Sequence, residues 1–140
     1  MARILIADDH SMMRKGLRTA IEPHVGWEIC GEATTGQEAL DQTQLLKPDL
    51  VVLDVSMPVL NGLEAAHRIA KSLPNVKILL FTMHNSPQFA KDVRKSGAHG
   101  YVCKSSGEEV LTRAMEMLLQ GETFFDLDGM RAKSLATGTM

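Results

Sequence analysis

The stretch "DLVVLDVSMPVLNG" (residues 49–62) sets the fold. Its first half, "DLVVLD" (49–54), is an uninterrupted apolar run between two aspartates. A half-exposed strand alternates apolar and polar residues; a continuous run fits a strand buried on both faces. After the Pro, Asn and Gly of its second half comes "GLEAAHRIAKSL" (62–73), with Leu63, Ala66, Ile69, Ala70 and Leu73 at helical spacing. A doubly buried strand followed by a helix is the repeating piece of a parallel α/β sheet.

The same piece recurs along the chain. Strands are predicted over 3–8, 28–33, 49–54, 76–81 and 100–104, each bounded by Gly, Pro, Asp or Asn. Helices are predicted over about 10–21, 36–46, 62–73, 86–96 and 107–120, with Gly97 and Gly121 as C-terminal caps. "ILLF" (78–81) is a second continuously apolar run. Five strand–helix alternations predict a parallel sheet with helices on both faces. Phe124 and Phe125 are expected to pack on the body, and from about Asp128 the small, polar, aperiodic residues read as linker or tail.

Composition narrows the classes. A chain of 140 residues with 44% apolar residues suits one domain with one real core. A net charge of -2 gives no electrostatic case for nucleic-acid binding by this segment. No stretch approaches the roughly 20 apolar residues of a membrane span, and "ARILIADD" does not read as a secretory signal. Cys30 and Cys103 lie in apolar runs and form no CxxC pair, as in a reduced, cytoplasmic domain.

Ligands of open α/β sheets bind outside the carboxyl ends of the strands. The first strand ends in Asp8 and Asp9, the third in Asp54, the fourth in Thr82 and the fifth in Lys104; the second offers nothing reactive. Two unit charges about 4 Å apart cost roughly 4 kcal/mol at an effective dielectric of 20. Clustered carboxylates therefore raise a pKa or bind a cation. Oxygen ligands with no His or Cys partner favour a hard ion, Mg2+ before Ca2+. Lys104 and Thr82 suit phosphoryl oxygens, so the set is equipped for phosphoryl transfer, with an Asp carboxylate as acceptor. Taken singly, each residue has an ordinary reading. Asp8 or Asp9 could cap a helix, Asp54 could end a strand, and Thr82 is a common strand residue. Lys104 could be a solvated lysine and Tyr101 a packing residue. The histidines are scattered, with His10 at a helix start and His84 two residues past Thr82, and no pair has zinc-site spacing. The methionines read as core fillers, Met57 excepted by its place beside Asp54.

"ADDH" (7–10), "LDVSMPVLNG" (53–62), "FTMH" (81–84) and "GYVCK" (100–104) together resemble the signature of response-regulator receiver domains, over about residues 3–121. The resemblance implies a flavodoxin-like five-stranded parallel sheet of order 2-1-3-4-5. It implies that Asp54 is the phosphoacceptor. It implies Asp8, Asp9, Asp54 and the Ser56 backbone carbonyl as Mg2+ ligands, with Asp9 binding directly and Asp8 partly through water. Thr82 and Lys104 would engage the phosphoryl group, and Tyr101 would turn inward as Thr82 moves. Ser105 departs from the pattern, because many members carry a cis-bonded proline there. The implied partners are a sensor histidine kinase and, on phosphorylation, a second copy of the chain; no membrane is involved.

"GYVCKSS" and "GETFF" are similar to receivers of the NarL/LuxR type, which carry a C-terminal helix-turn-helix. Residues 1–121 are thus expected to form the receiver and 122–140 an extension toward a DNA-binding domain that this chain lacks. A stand-alone receiver acting through protein contacts is the alternative. Three further classes compete. A Mg2+-dependent phosphatase would want a second Asp two positions after the nucleophile, where Ser56 stands. A flavodoxin-like electron carrier would not open its phosphate loop with Asp-Asp. A metal-free interaction module would not need the whole set. The expected role is a self-phosphorylating and self-dephosphorylating signalling switch rather than a turnover enzyme.

Overall fold

The computed structural model describes residues 1–84 and 86–125. Strands β1 (Ala2–Ala7), β2 (Trp27–Ala33), β3 (Leu50–Leu53), β4 (Lys77–Thr82), β5 (Gly100–Cys103) and β6 (Phe124–Phe125) form one sheet of order β2-β1-β3-β4-β5-β6. Every neighbouring pair is parallel. Helices α1 (Ser11–Ile21), α2 (Gly36–Leu46), α3 (Gly62–Ser72), α4 (Pro87–Ser96) and α5 (Glu108–Leu119) alternate with the strands.

The sheet divides the core in two. Val51 and Leu53 of β3 face one layer with residues of α2, α3 and α4, among them Leu40, Ala66, Ile69, Phe89 and Val93. Leu50 and Val52 face the other, with Leu17 and Ile21 of α1 and Leu111, Met115 and Leu118 of α5. All four β3 residues are buried, which is why the run at 50–53 carries no polar residue. Thr35, Asn61 and Ser86 cap α2, α3 and α4 by accepting backbone N–H groups through their side chains. Gly97 ends α4 in a left-handed conformation, φ 89°.

The expected parallel sheet is present with one addition. Phe124 and Phe125 do not merely pack on the body; they pair with Gly100 and Tyr101 as a sixth strand. Phe124 is buried with the α1–α5 layer, and the Arg94 guanidinium lies 4.0 Å over the Phe125 ring. After β5 the chain forms a 3₁₀ turn, Lys104–Ser106, and no peptide bond is cis among the described residues. Neither cysteine is in a disulfide among the described residues; Cys30 is half-buried and Cys103 buried. The predicted linker from Asp128 lies outside the described residues. Among those described, no helix is long and apolar enough to cross a membrane.

Candidate functional site

Three strand ends build the site. Ala7 closes β1, and Asp8 continues the ladder by donating its N–H to the Ala33 carbonyl (3.0 Å) at the end of β2. Asp54 follows β3 and donates its N–H to the Ala7 carbonyl (2.9 Å). Lys104 follows β5. Its Nζ lies 2.9 Å from Asp8 Oδ2 and 3.3 Å from Asp54 Oδ1, and the side chains of Lys104, Asp8 and Asp54 are 9%, 1% and 5% exposed. Neither Asp8 nor Asp9 caps α1. His10 is the N-cap residue, and its own N–H donates to Asp8 Oδ1 at 2.9 Å.

Burial, then the charge of Asp8, pushes the Asp54 carboxyl up from its ordinary value, against the pull of Lys104 and of the Ser56 N–H that donates to it. Burial works to lower Lys104, but the hydrogen bond to Asp8 and the charges of Asp54 and Asp8 outweigh it and hold the ammonium above its ordinary value. The site therefore keeps a firm cation against a carboxylate that is costly to ionise.

One ligand atom each from Asp8, Asp9, His10 and Asp54 lies within 4.8 Å of the others. Opposite ligands of a six-coordinate Mg2+ stand about 4.2 Å apart, so small side-chain shifts would let the carboxylates enclose one. Their donor set fits a divalent cation. The expectation of no nearby histidine needs correction: His10 Nδ1 is 3.1 Å from Asp8 Oδ1 and 3.0 Å from Asp9 Oδ1.

Glycines hold the Asp54 loop close. A Cβ on Gly62 would lie 2.2 Å from the Asp54 carbonyl oxygen, and one on Gly36 would lie 1.7 Å from the Leu60 carbonyl oxygen. Between them, Leu60 N–H donates to the Pro58 carbonyl (2.8 Å) across Val59, whose φ is 71°. That is a γ-turn centred on a β-branched residue in the left-handed region, an uncommon and strained arrangement. Ser56 is exposed in the same loop.

Thr82 is buried at the end of β4, and its Oγ1 accepts the His84 N–H at 3.2 Å. The His84 ring stacks on Phe89 of α4 (5.1 Å), and Phe89 meets Tyr101 of β5 edge-on (5.4 Å, 86°). Tyr101 is fully buried, with its ring inside the molecule. The structure thus gathers Asp8, Asp9, Asp54 and Lys104 directly. Thr82 joins Tyr101 through the rings of His84 and Phe89. Sequence reasoning missed Arg14 and Glu32: Arg14 Nε donates to Glu32 Oε1 (2.8 Å) and Arg14 Nη1 to the Asp8 carbonyl (2.7 Å). Nothing in the sequence pairs residues eighteen positions apart on a helix and a strand.

A parallel α/β sheet with an acidic, lysine-bridged pocket at the carboxyl ends of its strands defines the class, an open α/β domain with its polar site at the strand ends. Within it, the chain belongs to the response regulator receiver domain family, whose model matches residues 4–116. It is similar to the response regulator GacA of Pseudomonas aeruginosa, 32% identical over 124 residues that cover 89% of this chain and 58% of that protein. Similarity to the oxygen regulatory protein NreC of Staphylococcus epidermidis is 38% over 126 residues, covering 89% and 58%. The chain spans under three-fifths of the length of these curated relatives. A crystal structure of a LuxR-family two-component response regulator from Aurantimonas sp. SI85-9A1 superimposes with a TM-score of 0.87 at 35% identity, covering 99% of this chain and 98% of that one. NarL/LuxR-type response regulators are thus the relatives of this receiver, and its setting is two-component signalling.

Proposed function

We propose that this receiver takes a phosphoryl group from a phosphohistidine of a sensor histidine kinase onto Asp54. The observation that carries the reading is the Lys104 ammonium held between Asp8 and Asp54 at a buried strand-end pocket. An Asp54 carboxylate oxygen attacks phosphorus, the P–N bond breaks, and its electron pair stays on the imidazole nitrogen. Asp8, Asp9, Asp54 and the Ser56 carbonyl would hold Mg2+, which would supply charge neutralisation of the carboxylates and attraction for phosphoryl oxygens. Lys104 leaves its carboxylate partners to meet one phosphoryl oxygen, and the Thr82 hydroxyl turns from the His84 N–H to donate to another. Water later attacks phosphorus, the bond from phosphorus to the Asp54 oxygen breaks, and inorganic phosphate leaves with the water's oxygen, so the domain works as a timed switch rather than a turnover enzyme. The switch is read through Thr82, Tyr101 and α4, whose packing differs between the two states.

The wider reading follows the relatives. The domain would act in the cytoplasm, pair with a second copy on phosphorylation, and control transcription through a DNA-binding domain beyond residue 140. A receiver acting through protein contacts alone is the second reading. The test is labelling by acetyl phosphate with and without Mg2+, on the native chain and on Asp54→Asn. Metal-dependent labelling lost in the variant is expected; unchanged labelling of the variant overturns the assignment.

A further inference from the structure

The peptides on either side of Asp8 decide where the two carboxylates stand, and each is held by the end of β2. The Ala33 carbonyl takes the Asp8 N–H at 3.0 Å. On the other side Arg14 Nη1 donates to the Asp8 carbonyl at 2.7 Å, while its Nε donates to Glu32 Oε1 at 2.8 Å. The Arg14 side chain is 18% exposed. Glu32 is itself fixed: Arg18 Nε donates to its other oxygen, and Gln42 Nε2 donates to its backbone carbonyl at 2.8 Å. Burial alone would raise the Glu32 carboxyl, but its bonds to Arg18 and Arg14 outweigh that and hold it below the ordinary value, so it stays an anion.

We propose that Arg14 is a positioning residue for the metal and phosphoryl site, fixing the Asp8–Asp9 peptide against Glu32 so that both carboxylates are set before a cation arrives. This rests on the reading of Asp8, Asp9 and Asp54 given above. A guanidinium suits the task because its donors lie in one rigid plane and can serve two acceptors at once. A lysine ammonium carries the same charge on a flexible stem and offers no such fork. Groups that orient metal ligands typically shift metal affinity by roughly tenfold to a hundredfold. Arg14 makes no hydrogen bond to a carboxylate of the pocket; its bond to the site is the one to the Asp8 carbonyl.

The experiment is an NMR-monitored MgCl2 titration of the 140-residue chain, with hydrogen exchange of the Asp8–His10 amides measured in metal-free protein. The proteins are the native chain, Arg14→Ala, Arg14→Lys, Glu32→Ala and the double variant Arg14→Ala/Glu32→Ala. Affinity is read on folded protein, so a loss of stability alone leaves it unmoved. Arg14→Ala is expected to bind Mg2+ roughly tenfold more weakly and to exchange the Asp8–His10 amides faster. Arg14→Lys should resemble Arg14→Ala, and the double variant should lose little more than either single one. Native affinity in Arg14→Lys beside a weakened Arg14→Ala overturns the fork in favour of simple charge. Unchanged affinity in Arg14→Ala overturns the proposal. If the native chain takes no Mg2+, the metal reading fails, and the amide exchange of Arg14→Ala still decides whether Arg14 holds the Asp8–Asp9 peptide.

Discussion

The Lys104 ammonium stands 2.9 Å from Asp8 Oδ2, an ion pair in which neither side chain is more than 9% exposed. Removing one partner of such a pair leaves an uncompensated buried charge and costs about 3–5 kcal/mol. Lys104→Ala leaves both Asp8 and Asp54 without that cation. Urea unfolding without divalent ions is expected to show a loss of about 3 kcal/mol. Millimolar MgCl2 should recover more stability in the variant than it adds to the native chain, since a cation between the carboxylates replaces the missing charge.

Val59 sits at φ 71° and is exposed. The left-handed region costs an L-residue about 1–2 kcal/mol, and glycine gives back about 0.5–1 kcal/mol through the freedom of the unfolded chain. Val59→Gly should therefore raise stability by about 0.5 kcal/mol in denaturant melts. A loss of stability would show that the loop carries no such strain.

His99 is a built-in acid-sensitive joint. Its Nδ1 accepts the Ile78 N–H at 3.0 Å while its own N–H donates to the Ile78 carbonyl at 2.9 Å. Burial, then the charge of Lys77, lowers its pKa from the ordinary value near 6.5. The unfolded chain then binds this proton more readily than the folded one. Stability is complete above about pH 6.5 and falls as pH drops toward the lower folded value. His99→Asn keeps an acceptor and cannot titrate, so its stability should vary less between pH 7 and pH 5 than that of the native chain.

Gly62→Ala would push a methyl group to 2.2 Å from the Asp54 carbonyl oxygen, a backbone atom that cannot swing aside. Overpacking of this kind costs about 1–3 kcal/mol. A loss in that range is expected in thermal melts, together with shifted backbone resonances at Asp54 and Val55. A variant as stable as the native chain would show that the helix start can retreat from the loop.

The strands and helices were legible because β3 and β4 are buried on both faces and the helices keep one apolar stripe. The site was legible because strand ends collect at one edge, which brings Asp8, Asp54 and Lys104 together whatever lies between them in sequence. Strand β6 was not: two residues show no alternation, and its place depends on Gly100, where a Cβ would lie 2.3 Å from the Phe124 carbonyl oxygen. The left-handed Val59 was also hidden, since a β-branched residue is among the last expected there. Arg14 and Glu32 escaped because a salt link between a helix and a strand leaves no periodic trace. His10 read as a helix start, which it is, but its ring faces the carboxylates.

Strand β6 makes Phe125 the register partner of Tyr101, with Arg94 of α4 resting on its ring. Tyr101, whose ring lies inside the molecule, is therefore tied to the last strand of the sheet by its backbone, and α4 is tied to the same strand by one guanidinium. The buried aromatic, the helix and the edge of the sheet make one mechanical piece.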